Sequence, residues 1–235
     1  MKNTVNIAVI GLGQIGSYLL NELKNKKKDI KLLTGKNIKL VAISAKNKNK
    51  KRKFKIDKKI FYKNPFEIFK TKKVDILFEC IGLADGISKK IVEKALKSKI
   101  HVITPNKALI SKHGDYLGKI AETKNVNLEF EASVGGGIPI LRTIKEGLST
   151  NKISKIYGIL NGTCNYILSE MDKTSDTFQN VLKRAQILGY AEPGDPKLDI
   201  NGYDTLAKVR ILSSLAFKKK ISKNNLLMEG IENIE

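Results

Sequence analysis

The stretch VNIAVIGLGQIGSYLLNELK, residues 5–24, decides the fold. Residues 5–10 are an apolar run short enough for a strand buried on both faces, and GLGQIG follows at once, leading into the helical pattern of SYLLNELK. Strand, G-x-G-x-x-G and helix, in that order, are the context that the dinucleotide fingerprint requires. Gly11 permits the tight turn, Gly13 lets backbone approach a pyrophosphate, and Gly16 lets the helix pack on the strand. Gln14 and Ile15 complete the turn, where the helix start offers N–H groups and partial positive charge to the phosphates.

Working outward, residues 38–44, IKLVAIS, predict a second strand that ends beside the adenosine ribose of such a ligand. An NAD-specific site usually carries an acid there. Here the strand ends in Ser44, Ala45 and Lys46 and continues NKNKKRKFK, which suits a 2′-phosphate better than a bare hydroxyl. The expectation is NADP in preference to NAD, with Ser44 and Lys46 at the cofactor; a merely solvated basic loop over 46–53 is the alternative. Residues 74–78, VDILF, predict a third strand, after which Glu79, Cys80, Ile81 and Gly82 turn over the sheet edge, placing Cys80 and Gly82 at the cofactor.

A helix over 84–98, with Ile87, Ile91, Ala95 and Leu96 inward, and a strand over 100–104 continue the alternation. TPNKALI follows, with Pro105 ending the extended segment and Asn106 and Lys107 starting a helix. Ligands of open parallel sheets lie beyond the carboxyl ends of the strands, so Thr104, Asn106 and Lys107 are cofactor candidates and Lys107 is also placed as a catalytic cation. With a further strand over 126–130, the pattern predicts an α/β fold with a Rossmann-type, doubly wound parallel sheet.

The glycines at 135–137 and Pro139, suited to a first helical turn, mark a boundary: residues 1–138 form the dinucleotide-binding domain and 139–235 a second domain. There, 152–160, KISKIYGIL, reads as a strand, and NGTCNYILSEM turns into a helix with Gly162 and Thr163 offering backbone and hydroxyl to a polar ligand, Thr163 serving equally as an N-cap. A helix over 177–188 closes at Gly189, and 204–217 is amphipathic, with Leu206, Val209, Leu212, Leu215 and Ala216 inward. Between them, GYAEPGDPKLDINGYDTLAK gathers Glu192, Asp195, Asp199 and Asp204 with Lys208 in an otherwise basic chain. Asp204 and Lys208 share a helix face, either as a surface ion pair or as a proton donor with its partner.

Composition narrows the function classes. With 235 residues, 41% of them hydrophobic, the chain can bury a core in one or two domains. The net charge of +21 comes almost wholly from Lys; the only arginines are Arg52, Arg142, Arg184 and Arg210. Few arginines and few aromatics argue against nucleic acid, which favours bidentate and stacking contacts. Cys80 and Cys164 are too few for a disulfide framework, and neither has a neighbouring His in sequence, which disfavours acyl-enzyme chemistry; His101 and His113 remain spatial candidates. No leader pattern and no run of the roughly 18 apolar residues a membrane span needs is visible, so a cytoplasmic protein with no membrane or nucleic-acid partner is expected.

GLGQIG, TPNKALI, EASVGGGIPI, GILNGTCNYIL and GYAEPGDPKLDINGYDTLAK, in this order, resemble homoserine dehydrogenase over nearly the whole chain. The resemblance implies NAD(P)-dependent interconversion of L-aspartate 4-semialdehyde and L-homoserine, a step of threonine, methionine and isoleucine biosynthesis. It implies an α+β catalytic and dimerisation domain with a mixed sheet after the nucleotide domain, with the substrate held between them. Lys107 and Lys208 match the family's reacting-centre lysines, Glu192, Asp199 and Asp204 its acidic substrate-site residues, and Gly162, Thr163 and Tyr190 its substrate loops. A monovalent cation, usually Na+, is implied at Glu131, Val134, Gly136 and Ile138, chiefly through backbone oxygens.

Reduction of an aldehyde by hydride leaves an alkoxide, which Lys208, with or without Lys107, protonates while Asp204 tunes the ammonium and Glu192 meets the substrate's amino group. Two departures bear on this. EPGDPKLD holds one residue more than the family's usual E-x-D-P-x-x-D, with Gly194 the insertion. The chain ends at Glu235, where family members continue, so the second domain is expected to be incomplete and a homodimer to depend on that truncation. The rival readings are a catalytically impaired NADP-binding fragment and a basic nucleic-acid-associated protein on the same fold.

Overall fold

The computed structural model describes residues 3–47 and 57–234; residues 48–53 of the basic run expected at the cofactor's 2′ position lie outside them. The chain forms two compact units, Met1–Gly136 and Gly137–Glu235.

In the first unit, β1 (Thr4–Ile10), β2 (Asn37–Ser44), β3 (Phe61–Tyr62), β4 (Ile76–Glu79), β5 (His101–Ile103) and β6 (Leu128–Glu129) form one parallel sheet in the order β3-β2-β1-β4-β5-β6. The chain runs outward from β1 to β3 and begins again on the other side at β4. That reversal opens a crevice beyond the strand ends, where doubly wound sheets bind ligands. As one of the two central strands, β1 buries the second half of its apolar run, with Ile7, Ala8, Val9 and Ile10 shielded from solvent. Its last residue, Ile10, stands opposite Ser44 on one side and Glu79 on the other.

Helices α1 (Gln14–Asn25), α2 (Lys27–Thr34), α3 (Ile68–Thr71), α4 (Ile87–Lys97) and α5 (Lys107–Lys124) belong to this unit. Helix α4 buries Ile91, Val92, Ala95 and Leu96, whereas Ile87, expected inward, begins the helix and is largely exposed. Neither α2 nor β3 was visible in the sequence pattern. Helix α2 buries no residue and ends at left-handed Gly35, and its short Lys-rich sequence packs no face into the core.

The second unit is helical: α6 (Ile140–Arg142) widens into a π-turn at Thr143–Gly147, followed by α7 (Gly162–Thr174), α8 (Phe178–Ile187), α9 (Lys197–Ile200) and α10 (Tyr203–Ala216). Ile167, Phe178, Val181, Ala185, Ala191 and Ile200 form its core. On α10, Leu212 and Ala216 are buried as expected, but Ile211 and Asp204 are buried too, while Leu206 and Val209 face a cavity of about 540 Å³. The strand expected at 152–160, and with it the mixed sheet, is absent: residues 137–234 contain no strand among the described residues. Strand propensity needs a partner edge, and none is present beside this segment, whose Tyr157 and Ile159 lie exposed.

Candidate dinucleotide site and acid–lysine cluster

The glycine turn sits where the ends of β2, β1 and β4 meet. The Gly11 amide donates to the Ser44 carbonyl (2.9 Å), and the Cys80 amide donates to that of Ile10 (2.7 Å). Gly11 has φ +93°, and a Cβ there would lie 2.4 Å from the Cys80 carbonyl oxygen. At Gly16 a Cβ would lie 1.9 Å from the Gly11 carbonyl oxygen. Gly13 differs: nothing stands within 4 Å of an added Cβ. Gly13 also begins α1 with no side-chain cap and no acid in the first turn, and Gly13, Gln14 and Ile15 are exposed. A helix start left uncapped and open to solvent is suited to an anion.

Around this turn, Ser44 is buried, Lys46 and Gly82 are exposed, and Gly82 is left-handed (φ +91°). Thr104 and Asn106 are buried and engaged within the protein. The Thr104 hydroxyl donates to Glu79 Oε2 (2.6 Å), the Asn106 amide nitrogen Nδ2 donates to the Leu83 carbonyl (2.8 Å), and Asn106 Oδ1 caps α5 at Leu109 N (3.0 Å). The cap sets where Lys107, half-buried, leaves the helix start. Burial and the Glu79 charge push the Cys80 thiol up to about 12. Burial and the charges of Asp199 and Asp204 raise Cys164 as well. Each histidine is occupied elsewhere, His101 by the Asn127 amide and His113 by Asp85, so neither thiol has an activating base.

In the second unit the carboxylates of Asp199 and Asp204 converge although five positions apart. Glycine at 202, left-handed (φ +83°), turns the chain from α9 into α10 between them. Asp204 is buried and pairs with Lys208 (2.7 Å), whose ammonium also donates to the Leu160 carbonyl (2.7 Å). The Thr163 hydroxyl donates to the Tyr190 carbonyl (2.6 Å) and reaches Asp199 Oδ2 (3.5 Å). Tyr190 thus joins through its backbone, while its ring stacks on Tyr166 at 4.4 Å. Gly162 opens α7 with clear space beside it. Glu192 is not gathered in: its carboxylate is exposed and meets no partner among the described residues, although its carbonyl accepts from Gln186 (3.1 Å).

The residue missed by the sequence reading is Asn161, which is buried. Its Nδ2 donates to both Asp199 Oδ1 (2.8 Å) and Asp204 Oδ2 (2.9 Å), and its Oδ1 caps α7 at Cys164 N (2.8 Å). One side chain therefore holds two carboxylates together and starts the helix. Asn is a favoured N-cap, and the structure gives that place to Asn161 and not to Thr163 two residues later. Asn161→Ala is expected to cost about 2–4 kcal/mol in a denaturant titration, from the lost cap and two lost charge-assisted bonds. Asn161→Asp keeps the cap but sets a third carboxylate beside two. Repulsion raises its folded pKa, so the lost stability should return as pH falls and the group protonates.

For the monovalent cation, no cluster of three or more His, Cys, Asp or Glu suits a metal among the described residues, leaving backbone oxygens as the donors. The Glu131 carbonyl accepts from Val134 N (3.4 Å) and that of Ile138 from Ile140 N (2.8 Å).

A glycine turn at the switch point of a parallel sheet, followed by a unit built on a buried lysine–carboxylate cluster, defines a nicotinamide-dinucleotide-binding α/β protein. The chain belongs to the homoserine dehydrogenase family: its NAD-binding domain model matches residues 11–131 and its homoserine dehydrogenase domain model residues 139–235. The chain is 40% identical to a homoserine dehydrogenase of Neisseria gonorrhoeae over 98% of its own length and 52% of that protein's. It is 35% identical to that of Bacillus subtilis, covering 98% of this chain and 53% of the other. A crystal structure of S. aureus homoserine dehydrogenase matches with TM-score 0.86 and 37% identity, over 100% of this chain and 55% of that one. The chain thus spans about half the length of the curated relatives it matches.

Proposed function

We propose that the chain carries the reacting residues of a homoserine dehydrogenase, interconverting L-aspartate 4-semialdehyde and L-homoserine with NADP in preference to NAD. The observation that carries this reading is the Lys208 ammonium, 2.7 Å from a buried Asp204 carboxylate that Asn161 ties to Asp199. The first unit holds the cofactor through the Gly11–Gly16 turn and the open start of α1, with Lys46 and no acid at the end of β2 favouring a 2′-phosphate. The nicotinamide ring, when bound, supplies or accepts the hydride at C4 of the substrate.

The remaining chemistry falls to side chains. When hydride reaches the aldehyde carbon, the oxygen becomes an alkoxide, and the Lys208 ammonium gives it a proton. Homoserine oxidation reverses this, the neutral amine taking the hydroxyl proton as hydride leaves the carbon. Two of the three Lys208 N–H groups are spent on Asp204 and Leu160, which aims the third. Lys107, placed by the Asn106 cap at the start of α5, is the first unit's candidate catalytic cation. Asp199 and Glu192 suit the substrate's ammonium, and the hydroxyl of Thr163 and the open backbone of Gly162 its polar ends. A monovalent cation at Glu131, Val134, Gly136 and Ile138, a homodimer and a cytoplasmic location belong to the same reading. No helix among the described residues is long and apolar enough to cross a membrane.

The test is oxidation of NADPH and NADH in the presence of L-aspartate 4-semialdehyde, with Na+ exchanged for choline and molecular mass measured in solution. Turnover faster with NADPH is the expected outcome. Cofactor binding without turnover would instead identify a catalytically impaired nucleotide-binding chain, and tight salt-dependent DNA binding a nucleic-acid protein.

A further inference from the structure

Glu79, the last residue of β4, is a completely buried carboxylate that the chemistry above does not use. Three donors from two chain segments converge on it. The Ile81 amide, in the turn after β4, donates to Oε1 (2.9 Å). The Thr104 hydroxyl after β5 donates to Oε2 (2.6 Å), and Asn106 Nδ2 at the start of α5 reaches the same oxygen (3.3 Å). The Thr104 oxygen already accepts from Asn106 N (3.0 Å), which turns its proton toward Glu79. The Asn106 amide is oriented by its cap at Leu109 and by the Leu83 carbonyl. All three contacts are donations to the carboxylate oxygens, which accept at both ends. A neutral Gln there presents one oxygen and one NH₂ to three donors, and one end is left mismatched.

The location gives this arrangement a use. In doubly wound sheets the first half, β1 to β3 here, takes the adenosine end of a dinucleotide, and the half beginning at β4 takes the other nucleoside. Glu79 is the end of β4 nearest the switch point, and it fastens the 81–83 turn to the residue that caps the helix of Lys107. The oxidised nicotinamide is a cation and the reduced ring is neutral, so a fixed negative charge under that half discriminates between them.

Resting on the nucleotide-binding reading above, we propose that Glu79 is a positioning residue for the nicotinamide half: it locks the strand-end turn and the Asn106–Lys107 helix start together and biases the site toward the oxidised cofactor. Dissociation constants of NADP+ and NADPH, melting temperature and turnover are to be measured for the chain, Glu79→Gln and Glu79→Asp. Glu79→Gln is expected to weaken NADP+ by about 3- to 10-fold more than NADPH. Glu79→Asp keeps the charge but not the reach, so the affinity ratio should hold while turnover falls by about tenfold or more.

Equal weakening of the two cofactor forms in Glu79→Gln, in step with melting, would overturn the proposal and make Glu79 a brace alone. Where Glu79→Gln does not fold, Glu79→Asp decides: turnover lost out of proportion to cofactor affinity supports the positioning role, and parallel losses refute it. A chain that binds both forms without turnover bears on the catalytic reading only, because the affinity ratio is read without chemistry.

Discussion

Under the proposed reaction, Lys208→Ala is expected to lower homoserine oxidation by about 100- to 10,000-fold, the range over which a positioned acid–base group contributes, with cofactor affinity unchanged. The two effects separate because Lys208 stands in the second unit, whereas the glycine turn and the uncapped α1 belong to the first. Loss of the ammonium leaves the buried Asp204 carboxylate with the Asn161 donor at 2.9 Å but without its cation, so the melting temperature should fall as well, with a stability loss on the order of 3 kcal/mol. Lys208→Arg is the sharper control. A guanidinium restores the charge beside Asp204 but stays protonated, so it rescues stability without rescuing turnover if proton transfer is the role. Turnover near that of the unmodified chain in Lys208→Ala would remove Lys208 from the mechanism.

Gly16→Ala is expected to destabilise the first unit by about 3 kcal/mol or more, since its methyl would lie inside contact distance of main chain. The obstacle is the Gly11 carbonyl oxygen at 1.9 Å, backbone of the same turn, which cannot swing aside as a side chain does. Gly13→Ala meets nothing within 4 Å and should melt like the unmodified chain. Its methyl instead occupies space that a pyrophosphate needs, so cofactor affinity should fall by about tenfold or more without loss of fold. Thermal melting together with NADPH titration separates the two. Matching behaviour of Gly13→Ala and Gly16→Ala in both measurements would show that the three glycines do not divide their roles this way.

What could be read from the sequence was what depends on local periodicity. The buried β1, the α4 apolar spacing and the helix starting at Lys107 each announce themselves through a run, a period of 3.6 or a proline and a cap. Helix α2 and strand β3 could not be read this way: the first buries none of its residues, and the second exists only because Ile43 and Ser44 offer an edge to Phe61 and Tyr62. The segment 152–160 errs in the opposite direction, since its β-branched and aromatic residues satisfy the propensity without an edge to pair with.

The same division runs through the site. Asp204 and Lys208 were visible because four residues on a helix is one turn, and the structure sets them 2.7 Å apart. Asn161 lies 38 residues before Asp199 and 43 before Asp204, and Glu79 lies 25 and 27 before Thr104 and Asn106, separations that no local pattern reports.

From residues 5–24 alone follow a strand, a glycine turn and a helix open to phosphate, because each is a constraint between neighbours in sequence. The order of motifs gave the family. Only the tertiary structure decided which polar groups are buried and what each must meet: two carboxylates held by one amide at Asn161, and one carboxylate holding three donors at Glu79. The reason is energetic. A polar group taken from water must find its partner wherever the fold brings one, and the sequence states the group without stating the partner.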